Sequence, residues 1–513
     1  MSALDRSSTI AVVGTGTMGQ GIAQVALVAG HSVRLYDAGP GRAEQAERAI
    51  AERLDRLVEK GRMTAAERDA ARGRLAAAQA IEDLAGVSLV VEAILEELGA
   101  KQQLFTALES VVPEDCLLAT NTSSLSVTAV GGALRLPGRF VGLHFFNPAP
   151  LLPLVEVVSG AATDEAAAQV AYDTAAAWGK TPVRCTDTPG FIVNRVARPF
   201  YAEAFRLYEE RAADPATIDA VLRESGGFRM GPFELTDLIG QDVNEAVTRS
   251  VWDSFFQDPK FTPSLAQRRL VESGRLGRKA GHGWYDHAPG ATPPAPRTAG
   301  PEKPPARVTT RMSASGPAGV LPELIAEAGI EVVAGDFFDP FDAYLELPGG
   351  GQLHLATGAA ATPDPTVRDQ GGDWVQFDLA LDYRAATRIA LAPADTARPE
   401  TVQAAIGLFQ ALGKQVSVID DTPGMIVART VAMLVDFAAD AVARGVASPQ
   451  DIDAAMRMGV NYPRGPLAWG DELGPAWVVE VLRNLHEAFP GGRYAPSRLL
   501  NRRAAAERGL LSS

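Results

Sequence analysis

Short apolar runs alternating with stretches of helical period organise the first third of the chain. Thr9-Ile-Ala-Val-Val13 reads as a buried strand, and Ile22, Val25, Ala26 and Ala29 follow it at helical spacing. Val33-Arg-Leu-Tyr36, Leu89-Val-Val-Glu-Ala93, Leu117-Leu-Ala-Thr120 and Phe140-Val-Gly-Leu-His144 are further strands, so residues 1–186 predict a doubly wound α/β sheet. Between them, residues from about 42 to 79 are almost all Ala, Glu, Arg and Leu. This insertion predicts two helices turned at Gly61, with Thr64 as N-cap and Glu67 completing a capping box. From Thr188 the period becomes helical, predicting helices over 190–211, 215–225, 231–252 and 263–273.

Residues 288–307 break every pattern. Seven prolines' worth of missing donors make a helix or a central strand untenable, so a stiff extended linker is predicted, drawn at 288–310. Beyond it the chain repeats. Asp187-Thr-Pro-Gly-Phe-Ile-Val-Asn-Arg195 recurs as Asp421-Thr-Pro-Gly-Met-Ile-Val-Ala-Arg429, an offset of 234 positions set by Pro189 and Pro423. The offset holds for Gly179-Lys180 and Gly413-Lys414, Asp219 and Asp453, Gly231-Pro232 and Gly465-Pro466, and Gly240 and Gly474. The predicted organisation is a sheet domain (1–186), a helical domain (187–287), the linker (288–310), a degenerate sheet-like segment (311–412) and a second, non-catalytic helical domain (413–510).

Two patterns carry chemistry. The first is Gly14-Thr-Gly16-Thr17-Met18-Gly19, placed between a strand and a helix, with Asp37 ending the next strand. In that context the glycines permit a tight turn, approach to a pyrophosphate and close helix–strand contact, while Asp37 accepts from a ribose. A 2′-phosphate would meet that carboxylate, and no arginine directly follows Asp37, so NAD is preferred over NADP. A nucleotide fold that has lost its ligand gives the same pattern. The second is His144 at the end of an apolar strand, with Glu156 twelve positions on in Leu154-Val-Glu-Val-Val158. A carboxylate on the far nitrogen of an imidazole fixes its tautomer and raises its basicity, as a general base requires. A core histidine with a satisfied hydrogen bond fits equally well on this stretch alone. The repeat separates the two readings. At the same offset His144 becomes Asp378, Glu156 becomes Ala390 and Asn194 becomes Ala428, and Ser313–Gly319 has no clear apolar strand before it. Packing residues recur while chemical ones do not.

Composition narrows the class. The 513 residues are 46% hydrophobic and 21% charged, as in a soluble globular protein of several domains. A net charge of −14 without a basic run argues against a nucleic-acid partner. Cys116 and Cys185 lie far apart, so neither a disulfide framework nor a zinc site is predicted, and no metal is expected. The first strand begins within ten residues and no apolar run approaches the roughly 18 of a membrane span, so a cytoplasmic protein without a membrane partner is expected.

These motifs together resemble the L-3-hydroxyacyl-CoA dehydrogenases. The resemblance rests on Gly14–Gly19, Asn121-Thr-Ser-Ser124, His144-Phe-Phe-Asn-Pro148, Asp187–Arg195, Gly231-Pro-Phe-Glu-Leu235 and Gly281-His-Gly-Trp-Tyr285. It implies a Rossmann-type doubly wound sheet with a helical-hairpin insertion, followed by a duplicated all-α C-terminal domain. It also implies oxidation of a (S)-3-hydroxyacyl-CoA by NAD, with His144 as base, Glu156 orienting it, and Ser123 and Asn194 bonding the reacting oxygen. Glu96, Lys101, Ser123, Asn147 and Lys279 fall at the family's cofactor contacts. The insertion becomes its CoA-binding segment, with Lys60 and Arg62 as phosphate partners. The longer build, with Val460–Gly470, is similar to family members acting on 3-hydroxyadipyl-CoA in phenylacetate degradation; 3-hydroxybutyryl-CoA or general β-oxidation is the alternative. Where the family has an aromatic–Pro–Met run this chain has Phe228-Arg229-Met230, so Arg229 is either a solvated surface residue or a partner for a distal carboxylate. The two helical domains are expected to dock as an intramolecular pseudodimer, with whole chains also able to associate. A non-catalytic NAD-binding relative and a sugar or hydroxy-acid dehydrogenase are the rivals. The intact set Ser123, His144, Glu156 and Asn194 opposes the first; the insertion and the Asn147-Pro148 motif oppose the second.

Overall fold

The computed structural model describes residues 3–313, 315–335, 344–362 and 372–512, which form two compact units. The first is Met1–Arg195 with Arg444–Val460; the second is Val196–Ala443 with Asn461–Ser513. No helix among the described residues is long and apolar enough to cross a membrane.

The first unit is built on strands β1 (Thr9–Val13), β2 (Ser32–Tyr36), β3 (Leu75–Ala77), β4 (Leu89–Glu92), β5 (Leu117–Thr120), β6 (Phe140–Phe145), β7 (Leu154–Ser159) and β8 (Thr181–Thr186). Their order is β3-β2-β1-β4-β5-β6-β7-β8, parallel throughout except that β7 runs against β6 and with β8. Helices α1 (Thr17–Val28), α2 (Arg42–Glu59), α3 (Ala65–Arg72), α4 (Leu98–Val111), α5 (Val127–Gly131) and α6 (Glu165–Ala177) connect them. A parallel strand is buried on both faces, which is why its residues form apolar runs. Ile10, Val12, Val33, Leu35, Leu89, Val91, Val155 and Val157 share one core with Ile22 and Ala26 of α1. The arm is α2 and α3 turned at Gly61 (φ +64°), and Thr64 and Glu67 form the expected reciprocal cap. Its C-terminal end returns to the sheet as the edge strand β3, which the composition of the insertion hid.

In the second unit lie α8 (Arg198–Glu209), α9 (Pro215–Glu224), α10 (Pro232–Ile239), α11 (Gln241–Ser254) and α12 (Leu265–Glu272), preceded in the chain by the short α7 (Val193–Val196). The expected helix 190–211 is thus divided, and that over 231–252 breaks at Gly240, whose φ of +106° no helix contains. The remainder is not helical throughout. Among the described residues, a seven-stranded mixed sheet comprises β9 (Arg307–Arg311), β10 (Glu331–Ala334), β11 (Tyr344–Glu346), β12 (Gln352–Leu355), β13 (Trp374–Phe377), β14 (Arg388–Pro393) and β15 (Gln415–Val418), in the order β10-β9-β11-β12-β13-β14-β15. Two expected boundaries move accordingly. Arg307–Thr310 belong to the interior strand β9 rather than to the linker, because prolines cease at Pro305 and the backbone donors return. Residues 415–418 are a strand of this sheet rather than the start of a helical domain. Helices α13 (Leu321–Glu327) and α14 (Pro399–Ala411) accompany the sheet, and α15 (Val427–Ala443), α17 (Pro466–Leu473), α18 (Pro475–Ala488) and α19 (Arg498–Ala505) follow it, while α16 (Pro449–Val460) belongs to the first unit.

Within the second unit α8 packs on α15, its equivalent at the repeat offset. The rings of Phe228 and Tyr462, also equivalent, meet edge-on at 5.1 Å. Beside them Glu203, fully buried, accepts from Arg429 at 2.9 Å and Tyr494 at 2.8 Å and pairs with Arg493. A buried carboxylate is tolerated only when so compensated; against the burial that would raise it, Arg493 and Arg429 hold Glu203 down to about 2.

Candidate active site

The glycine turn is shaped for a ligand that approaches the backbone. Gly14 has a φ of +93°, and a Cβ there would lie 2.5 Å from the Ala93 carbonyl oxygen. One at Gly19 would lie 1.8 Å from the Gly14 carbonyl oxygen, so both positions need glycine for packing. At Gly16 a Cβ would meet no protein atom within 4 Å. Space there, at the N-terminus of α1 with no side-chain cap, suits a pyrophosphate facing free amides. Thr17 is exposed and Met18 half-buried at the same end.

Asp37 is anchored by what surrounds it. One oxygen accepts from the Thr15 amide at 2.9 Å and hydroxyl at 2.7 Å; the other accepts from Gly39 at 2.9 Å. Against its burial, the Gly39 and Thr15 amides keep it below the usual carboxylate range. The guanidinium of Arg42 stands 3.8 Å away. It does not follow Asp37 directly, yet the turn into α2 returns it to the carboxylate.

His144 and Glu156 are direct partners across the antiparallel pair β6–β7. The imidazole Nδ1 lies 2.6 Å from Glu156 Oε2, and both groups are buried. An ionised carboxylate only accepts, so Nδ1 donates and Nε2 keeps its lone pair. Phe146 and Phe191 pack on the ring at centroid distances of 4.5 and 5.8 Å, which restrains its rotation. Glu156 has a second role that spacing did not show. Its Oε1 accepts from the amides of Ile192 at 3.0 Å and Val193 at 2.9 Å. One side chain therefore ties the imidazole to the turn carrying half-buried Asn194.

Ser123 comes to the same strand ends. Asn121 Oδ1 accepts from the Phe145 amide at 2.8 Å, binding the Asn121–Ser124 turn to the residue after His144. Glu96 organises that turn: it accepts from Thr122 Oγ1 at 2.6 Å and from the Ser123 and Ser124 amides at 2.8 and 3.0 Å. Against its burial, the Thr122 hydroxyl and the charge of Lys101 lower Glu96 to about 2. Lys101 is itself buried, 2.5 Å from Glu92 and 3.3 Å from Glu96. Glu92, fully buried, also accepts from Thr120 at 2.6 Å. Sequence reasoning passed over it. The available signal was an acid closing the apolar strand Leu89-Val-Val-Glu92 nine residues before a lysine. Lys180 Nζ reaches the carbonyls of Ala149 and Leu152, pinning the loop that carries the exposed Asn147 and giving the recurring Gly-Lys pair a reason.

Lys60 and Arg62 are exposed at the tip of the arm. In the second unit Lys279 pairs with Asp242 at 2.6 Å, and Arg229 is exposed between α9 and α10.

Comparison with known proteins follows the same divisions. A model of the 3-hydroxyacyl-CoA dehydrogenase NAD-binding domain matches residues 9–188. The corresponding C-terminal-domain model matches twice, at 190–287 and 424–509. A 3-hydroxybutyryl-CoA dehydrogenase reduced Rossmann-fold model matches 353–423. Among individual proteins, 3-hydroxyadipyl-CoA dehydrogenase of Escherichia coli is 43% identical over 98% of both chains. A probable 3-hydroxybutyryl-CoA dehydrogenase of Bacillus subtilis is 39% identical over 54% of this chain and 96% of its own. The crystal structure of a 3-hydroxybutyryl-CoA dehydrogenase from Escherichia coli K12 superposes with a TM-score of 0.87 at 42% identity, covering 98% of this chain and 99% of that one.

Proposed function

Because the chain belongs to the 3-hydroxyacyl-CoA dehydrogenase family and is an NAD-dependent oxidoreductase, we propose that it oxidises 3-hydroxyadipyl-CoA at C3 with His144 as general base. The observation carrying the base assignment is the 2.6 Å contact of Nδ1 with Glu156. It leaves Nε2 as the acceptor for the hydroxyl proton. NAD, when bound, accepts the hydride from C3. Positive charge would build at that carbon unless the hydroxyl proton departs; His144 takes the proton, and Glu156 stabilises the imidazolium. Ser123 and Asn194 hydrogen-bond the reacting oxygen and fix its distance from the imidazole. Asp37 takes the adenosine ribose, Gly14–Gly19 the pyrophosphate, and Glu96, Lys101, Asn147 and Lys279 complete the cofactor's surroundings. Of these, Lys101 acts through Glu96, since its own amine is buried. Lys60 and Arg62 meet the phosphates of CoA.

The adipyl group is favoured because the Escherichia coli protein named for it shares the full build, whereas the Bacillus subtilis relative named for the butyryl group aligns over only 54% of this chain. The Escherichia coli K12 structure named for a 3-hydroxybutyryl-CoA dehydrogenase, which matches over the same full build, supports the second reading, a short-chain enzyme. NADH formation with the two thioesters decides. At least tenfold higher kcat/KM on 3-hydroxyadipyl-CoA is expected, about 1.4 kcal/mol of discrimination; equal or reversed values overturn it. Arg229, which is exposed, is either a solvated surface residue or a partner for the distal carboxylate, and the second role is the one under test. Its replacement by alanine should then lower kcat/KM on the adipyl substrate and spare the butyryl one, and equal losses on both would remove that role.

The two helical repeats form a pseudodimer within one chain. Supporting this are α8 on α15 and Phe228 on Tyr462, since equivalent positions touch one another only near a two-fold axis. At concentrations where light scattering gives a single-chain mass, specific activity should be the same as at concentrations where whole chains associate. Activity that falls on dilution as a dimer of chains dissociates would contradict it.

A further inference from the structure

The strand pair holding His144 and Glu156 is closed by a helix from the other half of the chain. Residues 444–460 form one compact unit with residues 1–195. Helix α16 packs on β7 and β8, and the Thr186 amide at the end of β8 donates to Val446 O at 2.9 Å. Its buried face is Ile452, Ala455, Met456 and Gly459, the i, i+3, i+4, i+7 stripe of a helix lying on a sheet.

Gly459 stands at the point where this helix meets the site. A Cβ there would lie 2.6 Å from Leu154 Cδ2 and 3.1 Å from Val193 Cγ2. Leu154 opens the strand that carries Glu156, and the Val193 amide donates to Glu156. The helix thus touches both elements that Glu156 joins. The opposite half makes the matching contact: Ser225, equivalent to Gly459, donates through Oγ to the carbonyl of Arg388, equivalent to Leu154, at 2.6 Å, and α9 packs on β14. Each half seats its helix on the other half's strand, but only one of the two strands bears chemistry.

We infer that α16 of the second half is the seat of the catalytic strand pair and that Gly459 is a positioning residue for His144, acting through Leu154, Val193 and Glu156. This rests on the proposed base role of His144. The second repeat therefore serves the reaction as well as the assembly. A side chain at Gly459 displaces Leu154 and the Val193–Asn194 turn, turning Glu156 away from Nδ1 while leaving the glycine turn alone.

The test uses the full chain. Gly459→Val should lower kcat at least tenfold, leave the Kd for NADH within twofold, and shift the acidic limb of the kcat/KM pH profile. Adding Leu154→Ala should restore at least half of the lost activity on a logarithmic scale, because space is returned. In a His144→Ala background Gly459→Val should cost little more, since the group it misplaces is gone. Should Gly459→Val fail to fold, Gly459→Ala carries the same expectation at about threefold. Wild-type kcat and pH profile in a folded variant, or a loss that Leu154→Ala does not relieve, overturns the inference. If His144→Ala itself retains activity, the base assignment falls instead, so the two failures are distinguishable.

Discussion

Strands β6–β7 and β13–β14 are the same structure at an offset of 234 positions, with and without a histidine–carboxylate pair. In the first, His144 faces Glu156. In the second, Asp378 stands in the histidine's place and donates its amide to Ala390 O at 3.0 Å, in the matching register. Glu156 accepts the amides of Ile192 and Val193, and Asp378 accepts those of Ile426 at 3.0 Å, Val427 at 2.7 Å and Ala428 at 3.0 Å. The carboxylate has moved from one strand to its neighbour, yet it still closes the turn after Thr-Pro-Gly. Other ties persist unchanged: Asp187 accepts from Thr128, and Asp421 from the equivalent Thr362. What the second half retains is therefore scaffold. Closing the turn needs only an acid, and in the first half Glu156 closes it while also holding the imidazole.

The comparison breaks most sharply at His144. Replacing it by alanine should lower kcat by ~10²–10⁴ with NADH binding unchanged. A near-wild-type rate would reduce His144 to a packing residue like its counterpart. Glu156→Gln is the next largest change. Its amide can still accept from Ile192 and Val193, but its NH₂ group would face Nδ1 and drive the ring proton onto Nε2. A fall in kcat on the order of tenfold to 10² is expected, with little change in Tm. A large drop in Tm instead would mean that closing the turn is all Glu156 does.

Asp378→Ala is the control from the other half. Removing a fully buried acceptor orphans the three turn amides, each worth ~1–3 kcal/mol and not additive, so Tm should fall. The kcat of the enzyme that stays folded should remain within about twofold. A selective loss of kcat would show that the second sheet bears on catalysis directly.

Local rules made much of the catalytic half legible. Glycines followed by a helix, an acid after β2, and Thr64 with Glu67 each need only a few neighbouring residues. The His144–Glu156 pairing was readable because twelve residues is a hairpin-like return between adjacent strands. Contacts set by tertiary packing were not. Glu92 and Lys101 are buried because they satisfy one another, and Arg42 meets Asp37 only through the path of the turn between them. The second sheet was legible only as a degenerate segment over 311–412; its individual strands were not, because short ones such as Tyr344–Glu346 carry little periodicity, and the proline segment blurred the start of β9. That α16 rests on β7 could not be read at all, since nearly three hundred residues separate them.

The smallest expected effect compares how the halves answer acid. Burial pushes Asp378 up to about 6 although the turn amides oppose it, and likewise Asp219 to about 7 despite the Tyr285 hydroxyl. Such carboxyls take up a proton on folding, so their contribution to stability grows as pH falls from about 7 toward about 4. Glu96 and Glu203, both held to about 2, do the reverse: the stability they provide is present above about pH 4.5 and lost as pH drops toward 2. Calorimetry should find Tm highest near about pH 5, falling gently to pH 8 and steeply below 4. Asp378→Asn should flatten only the upper limb, acting on the second sheet. Thr122→Ala, which removes the strongest bond to Glu96, should soften only the lower limb, acting on the catalytic half. If either substitution moved the other limb, the two sheets would be titrating as one body, and the separation of scaffold from chemistry drawn from β6–β7 and β13–β14 would not extend to stability.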